Sequence, residues 1–384
     1  MQIHKDVEKS GDRILFYAII LLLIQSAISQ ITNTNTFIIS PTNQFELIFF
    51  LISLLQLDWR NFHKFIIFFW TSFYLMFNLI LSLQVGTNVY DYLKESKWII
   101  YLLAIYCTKK VKYFSPNVIT RITKILLIFF LISYGEQVLN GGLGVRPIVF
   151  GENNYEVGFL LGMYLISEFP RLESGRNRNI FWYISLAGVV ALSGSRSGGI
   201  GFLVLSIFVM FSANENFLNR SRNFILFLAG LTLIINNILI IRGSNIKGVD
   251  RYHFLTIFIS EMQSKDLWEI LFGTFGVRLL NESSCQNLAF YSPLLADQQL
   301  GTCYATILHL FILRVIINFG IAGLILSVMV PYFILKNSKS RFLSVIMIAL
   351  SIINGLSVSG INNVFVMLPM LIAVTIRNQL PSKT

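Results

Sequence analysis

The chain has 384 residues, 55% of them hydrophobic and only 13% charged, where soluble domains carry about 25% charged residues. Apolar runs of about 17–25 residues, each long enough to cross a bilayer as a helix, recur along its length and exclude a soluble helical core. The net charge of +11 does not point to nucleic acid, because most Lys and Arg sit in short gaps between apolar runs, as membrane topology demands.

Taken in order, the pattern predicts an all-α polytopic membrane protein of about twelve transmembrane helices, at 14–31, 38–57, 65–83, 90–108, 119–139, 155–169, 180–194, 198–212, 223–241, 319–335, 342–359 and 364–377. No cleavage site follows the first run, so it is expected to be retained. The span 90–108 is the least regular, since Asp91, Lys94, Glu95 and Lys97 crowd its first half. Glu46 is the one acid clearly inside a span. The whole chain, 1–384, reads as one integral membrane domain. A long polar loop, 242–318, with membrane-surface helices in it, is inserted between the ninth and tenth spans.

Orientation follows from Lys and Arg placement. With the N-terminus inside, the inner segments hold Lys5, Lys9, Arg13, Lys109, Lys110, Lys112, Arg171, Arg176, Arg178, Lys336, Lys339 and Arg341, and the short outer loops hold far fewer. Both termini are therefore expected in the cytoplasm, in a bacterial inner (cytoplasmic) membrane, with the long loop in the periplasm. Cys285 and Cys303 both lie in that loop. An oxidising compartment would allow a disulfide there; the alternative is two buried thiols. Cys107 ends an apolar run and reads as inert.

An outer loop has no topological reason to be basic, so its arginines need another one. Arg196 lies in "ALSGSRSGGIG", between two apolar runs too close together to leave a real loop. A guanidinium at that depth costs at least about 2.5 kcal/mol unless paired. An anionic ligand would supply the partner, and Arg suits phosphate because its planar fork engages two oxygens. The alternative is a distant acid, Glu136, Glu152 or Glu156. Arg146 lies in "NGGLGVRPIVFGENNYEVG", whose amides suit sugar or phosphate contact. Arg242 stands at the mouth of the long loop, Arg251 opens the amphipathic stretch "RYHFLTIFISEM", and Arg278 follows the glycine turn "LFGTFG". The loop itself is slightly acidic, so an anion site must be shared with the bundle. His309 lies in an apolar segment on the outer side, where imidazole would be the natural general base near neutral pH.

His309 is followed by ten residues and then Gly320-Ile-Ala-Gly323. This resembles the motif of the O-antigen ligase and O-antigen polymerase superfamily, in which a His precedes a small polar residue, nine more residues and Gly-x-x-Gly. Leu310 stands where the family usually has Asn, Ser or Gln. "SGSRSGG" resembles the family's Ser-Arg segment, with Arg196 as its Arg. "RPIVFGENNYEVG" is similar to its Arg-containing loop, with Arg146 and Asn153 or Asn154 as binding residues. "RYHFLTIFISEM" followed by "LFGTFG" is similar to the start of its long loop, with Arg251 as the Arg.

The resemblance covers roughly 119–335 and implies a type-C-like, metal-independent, inverting glycosyltransferase. Its substrate would be oligosaccharide linked to undecaprenyl diphosphate. Arg196, Arg251, Arg146 and Arg242 would bind the diphosphate, Arg278 with Asn153 and Asn154 the sugars, and His309 would be catalytic. A chain-length regulator and a flippase are the expected partners, besides the bilayer. The expected activity is polymerisation of an O-antigen or capsular glycan. The alternatives are a ligase acting on lipid A-core or protein, and a flippase or other transporter of lipid-linked oligosaccharide. No His-Glu-x-x-His, Cys-x-x-Cys or nucleotide-binding fingerprint occurs, so neither metal nor cofactor is expected.

Overall fold

Every regular element among the described residues is helical. The computed structural model describes residues 2–32, 39–58, 60–108, 113–142, 145–173, 179–212, 250–274, 276–291, 303–338 and 341–376, with isolated positions between 221 and 232. The predicted span 223–241, Arg242 and the 292–302 part of the insertion lie outside the described residues, isolated positions apart.

The first half comprises α1 (Gln2–Thr32), α2 (Pro41–Leu55), α3 (Phe62–Gln84), α4 (Val89–Cys107), α5 (Pro116–Gly141), α6 (Asn153–Glu173), α7 (Ile180–Ser193) and α8 (Arg196–Ser212). The inserted segment holds α9 (Asp250–Gln263), α10 (Leu267–Phe272) and α11 (Glu282–Leu288), and the chain closes with α12 (Phe311–Ser338), α13 (Arg341–Gly355) and α14 (Val364–Thr375). Starts follow capping chemistry. Asn61, Asn88, Asn179, Asp266 and Asn363 each accept a backbone N–H of the first turn, and Ser40 does so ahead of Pro41. Four stretches are long and apolar enough to cross a membrane: Gly11–Thr32, Phe62–Gln84, Pro116–Gly141 and Phe311–Asn337. Shorter apolar helices are Pro41–Leu55, Ile180–Ser193, Arg196–Phe208, Arg341–Gly355 and Val364–Thr375. Large apolar side chains such as Phe65, Phe69, Trp70 and Phe73 of α3 face outward, a surface suited to hydrocarbon rather than water.

The helix ends sort into two groups, as an alternating up-and-down order demands. At one end Asp12 accepts from the Ser115 amide, Lys64 holds Asp58 and the Thr108 carbonyl, and the Tyr113 amide donates to Thr375. At the other, Ser26 donates to Val149, Thr87 to Val277, Ser195 to Asn154, and Asn362 to Lys94. The inserted segment docks on this second end, called the upper end below.

Two expectations are corrected. The span predicted at 319–335 begins at Phe311, so the insertion ends sooner and His309 precedes the helix rather than lying in it. Arg314, which looks like a reason to delay the helix, is carried inside it by Glu95 of α4, at 3.4 Å, with both side chains buried. Glu46 is likewise not the one acid inside a helix. It is half-buried in α2, whereas Glu95 of α4 and Glu156 of α6 are buried, both within about 10 Å of the upper ends of their helices at 1.5 Å rise per residue.

Within the insertion, Cys285 and Cys303 are joined in a disulfide, their Cα atoms 5.5 Å apart. Around them Phe254, Ile257, Leu280, Leu288 and Leu308 form a separate small core. Opening the bridge by Cys285→Ser with Cys303→Ser is expected to cost about 3 kcal/mol. Thermal unfolding should then start lower and no longer respond to reductant, whereas the wild type should.

The insertion is fastened to α12 by a crossing of two glycines. Gly320, at φ 68°, breaks α12, and a side chain there would run into the backbone of Leu271 and Gly273. Gly320→Ala is expected to cost more than about 1 kcal/mol through the left-handed backbone alone. It should loosen α10, read as faster amide exchange over 267–273.

Candidate functional site

The upper end is organised by a short loop, Ser357–Asn363, between α13 and α14. Its backbone is pinched by Gly360, at φ 50°, where a side chain would strike Gly355 and Phe311. Four of its residues each reach a different helix. Arg251 of α9 donates from Nη2 to Ser357 Oγ. The Phe311 amide donates to the Val358 carbonyl at 3.0 Å, fixing the start of α12 two residues after His309. Tyr155 and Ser359 share a hydrogen bond between hydroxyls at 2.9 Å. Asn362 donates to Lys94 O and accepts from the Trp98 amide.

Next to this loop, three successive amides of the 145–152 segment converge on one carboxyl group, and Ser26 and Gln137 hold the same segment from α1 and α5. Glu156, fully buried in the first turn of α6, accepts from the amides of Val149, Phe150 and Gly151 and from the Tyr134 hydroxyl. Both oxygens act as acceptors. The segment is also tied to the α7–α8 turn. Asn153 donates to Pro147 O and Ser193 O, and Asn154 Oδ1 accepts from Ser195. Asn354 completes the link to α13 by donating to Asn154 O. A chain of hydrogen bonds thus runs from the turn before Arg196, through Asn154 and Tyr155, to the loop that holds Arg251 and Phe311.

Arg196 begins α8 beside Ser195 and Ser197. Its Nε is buried and has no hydrogen-bond partner among the described residues. Glu156, one of the acids that could have neutralised it, is committed to the amides and Tyr134. Arg146 is exposed on the braced segment, close enough to Glu152 to act on its charge. Burial, reinforced by Glu156, holds the Glu152 carboxyl above the ordinary carboxylate range, while Arg146 and Asn154 pull it down. The folded chain therefore binds this proton more tightly than the unfolded one. Its contribution to stability is present below the ordinary carboxylate value of about 4.3 and is lost as pH rises through the raised folded value. Glu152→Gln is expected to flatten that decline in a stability-versus-pH series.

His309 caps the short turn Ala305–Leu308 in the left-handed conformation, φ 49°, the one non-glycine residue at positive φ among those described. Such a backbone costs about 1–3 kcal/mol and is retained where the surroundings over-determine it. It lies partly exposed between Leu308 of the insertion core and Leu310, which precedes α12.

The remaining residues singled out in the sequence are taken up by bracing or pairing. Asn153 is buried and both of its donors are used in bracing; Asn154 likewise braces the α7–α8 turn. Arg278 pairs with Glu269 of α10 at 3.6 Å, beside the α3–α4 turn. Sequence reasoning missed the Ser357–Asn363 loop and took Glu156 only as a counter-ion. The loop's signal was present, since "SVSGINN" has the same Ser, Gly and Asn richness as the segments around Arg146 and Arg196.

No protein-family model, no curated protein and no solved structure matches the chain. The chemistry of the upper end therefore rests on its own residues. It offers a buried guanidinium donor, a second arginine anchored through a hydroxyl, a strained imidazole and a rim of hydroxyls and amides. That set suits an anionic, hydroxyl-rich ligand presented at the membrane surface.

Proposed function

We propose that the chain is a polysaccharide polymerase that moves a growing glycan from undecaprenyl diphosphate onto the sugar of a fresh lipid-linked repeat unit at the periplasmic face of a bacterial inner membrane. The observation that carries it is the meeting of the Arg146, Arg196 and Arg251 segments and the His309 turn around Ser357–Asn363. An acceptor hydroxyl attacks the anomeric carbon of the donor sugar, and the bond from that carbon to the diphosphate oxygen breaks. The leaving diphosphate takes the electron pair, and the acceptor's proton passes to the His309 ring and then to water. Inversion follows from the single displacement. Arg196 and Arg251 stabilise the negative charge that builds on the leaving group. The order of short motifs resembling the O-antigen polymerase and ligase superfamily supports the same reading.

The test is a strain lacking the chain, complemented with variants. Arg196→Ala is expected to lower extension about 10²–10³-fold, the scale of losing one preorganised donor at a developing oxyanion. Surface glycan should then collapse to a single repeat unit. Loss of all surface glycan with long chains still on the carrier would instead establish a ligase, and wild-type chain length would remove Arg196 from the reaction.

A further inference from the structure

A cavity of about 1070 Å3 runs between α3, α4 and α12, below the upper end. Most of its wall is hydrocarbon and aromatic, including Ile67, Trp70, Leu102 and Leu326. Its polar residues Asp58, His63 and Lys64, and the amide of Asn337, gather at one mouth, at the end of the bundle opposite His309. The other end is lined by the aromatic rings of Trp98, Phe272 and Phe319. From Asn61 to Tyr74, both in the wall, α3 rises about 20 Å. That is nearer one leaflet than the roughly 30 Å of a full hydrocarbon core. The α3 wall is loosely held, since its buried residues, Asn78 and Ser82, both lie beyond the groove.

The mouth is cationic. Lys64 and the one lining acid, Asp58, pair at 3.2 Å and cancel, so the net positive charge of the mouth comes from Lys336 and Arg60, with Lys64 as a further donor. His63 lines the mouth and Arg60 precedes it, and Lys336 lies 5.7 Å from the ring centroid of Phe333, itself part of the wall. The first turn of α3, capped by Asn61, brings its N-terminal amides to the same place. Cations in front of a one-leaflet apolar groove complement one kind of molecule. We infer that the groove binds one anionic phospholipid of the leaflet at the Lys64 end. Its acyl chain lies between α3, α4 and α12, and Lys64, Lys336 and His63 hold its phosphate. A lipid headed at the His309 end fits poorly, because the groove is lined there by aromatic rings and its charged groups are at the other end. The inference needs only the membrane-embedded fold, not the glycan reaction.

Trp98, buried in the groove wall, reports on its occupancy once Trp59, Trp70, Trp182 and Trp268 are replaced by Phe. The full chain, in nanodiscs of phosphatidylcholine, is titrated with dibrominated phosphatidylglycerol or dibrominated phosphatidylcholine. Phosphatidylglycerol is expected to quench tryptophan emission at about tenfold lower mole fraction, the preference two membrane-facing cations supply. That preference should vanish in Lys64→Glu with Lys336→Glu. Because Lys64 also ties α3 to α4, Ala322→Phe, which fills the groove and leaves the mouth intact, is run beside it with circular dichroism as a folding check; it should abolish the preferential quenching too. Equal quenching by the two lipids would overturn the inference, as would undiminished preference in Ala322→Phe. Displacement by a polyprenyl phosphate but not by unbrominated phosphatidylglycerol would also overturn it.

Discussion

His309→Ala is expected to lower glycan extension about 10²–10⁴-fold, the range for removal of a positioned general base. His309→Gly should lose as much activity while gaining about 1 kcal/mol of stability, because glycine takes the left-handed conformation without the cost of a side chain. The opposite signs separate chemistry from folding. A histidine kept only for packing would lose stability in both variants and activity only in proportion. Thermal midpoints of the purified variants, read beside chain length in membranes, make the comparison.

Glu156→Gln is expected to be the most damaging single change to the fold of the upper end. The carboxyl group accepts from three successive amides and from Tyr134 in a fully buried setting. A glutamine offers one acceptor and turns an N–H toward groups that are themselves donors. Leaving buried donors without an acceptor costs about 1–3 kcal/mol each. The 145–152 segment, left with only its Ser26, Gln137 and Asn153 contacts, should exchange the amides of Val149, Phe150 and Gly151 faster and loosen Arg146, so extension falls along with stability. Tyr134→Phe removes one of the partners and should cost about 1 kcal/mol with extension nearly intact. If Glu156→Gln and Tyr134→Phe behave alike, the carboxyl group is not what shapes the segment.

Much of the bundle is legible as unbroken apolar runs, and α1, α3, α5 and α14 fall where those runs lie. The start of α12 is not, because Arg314 and Gly320 interrupt its pattern. The pairing of Arg314 with Glu95, across more than two hundred residues, and the Phe311–Val358 hydrogen bond let the helix begin at Phe311. At the site, Ser, Gly and Asn richness marks the segments that meet, since backbone and short polar side chains must approach one another there. Which side chains are consumed by that meeting cannot be read from one dimension. Asn153 and Asn154 look like ligand amides in the sequence and are braces in the fold, while Glu156 looks like a counter-ion and is a template for a loop. Arg196 is the reverse case. It lacks a nearby acid in sequence, and its Nε remains without a partner among the described residues.

The central claim is tested most directly with the purified full chain in proteoliposomes. The substrate is the undecaprenyl-diphosphate-linked repeat unit that accumulates in a strain lacking the chain. Products are separated by size after release of the lipid. The expected result is a ladder of lengthening glycan with the wild type and a single unit with His309→Ala and Arg196→Ala. A ladder of wild-type length from both variants, or a wild type that leaves the repeat unit unextended, would contradict it.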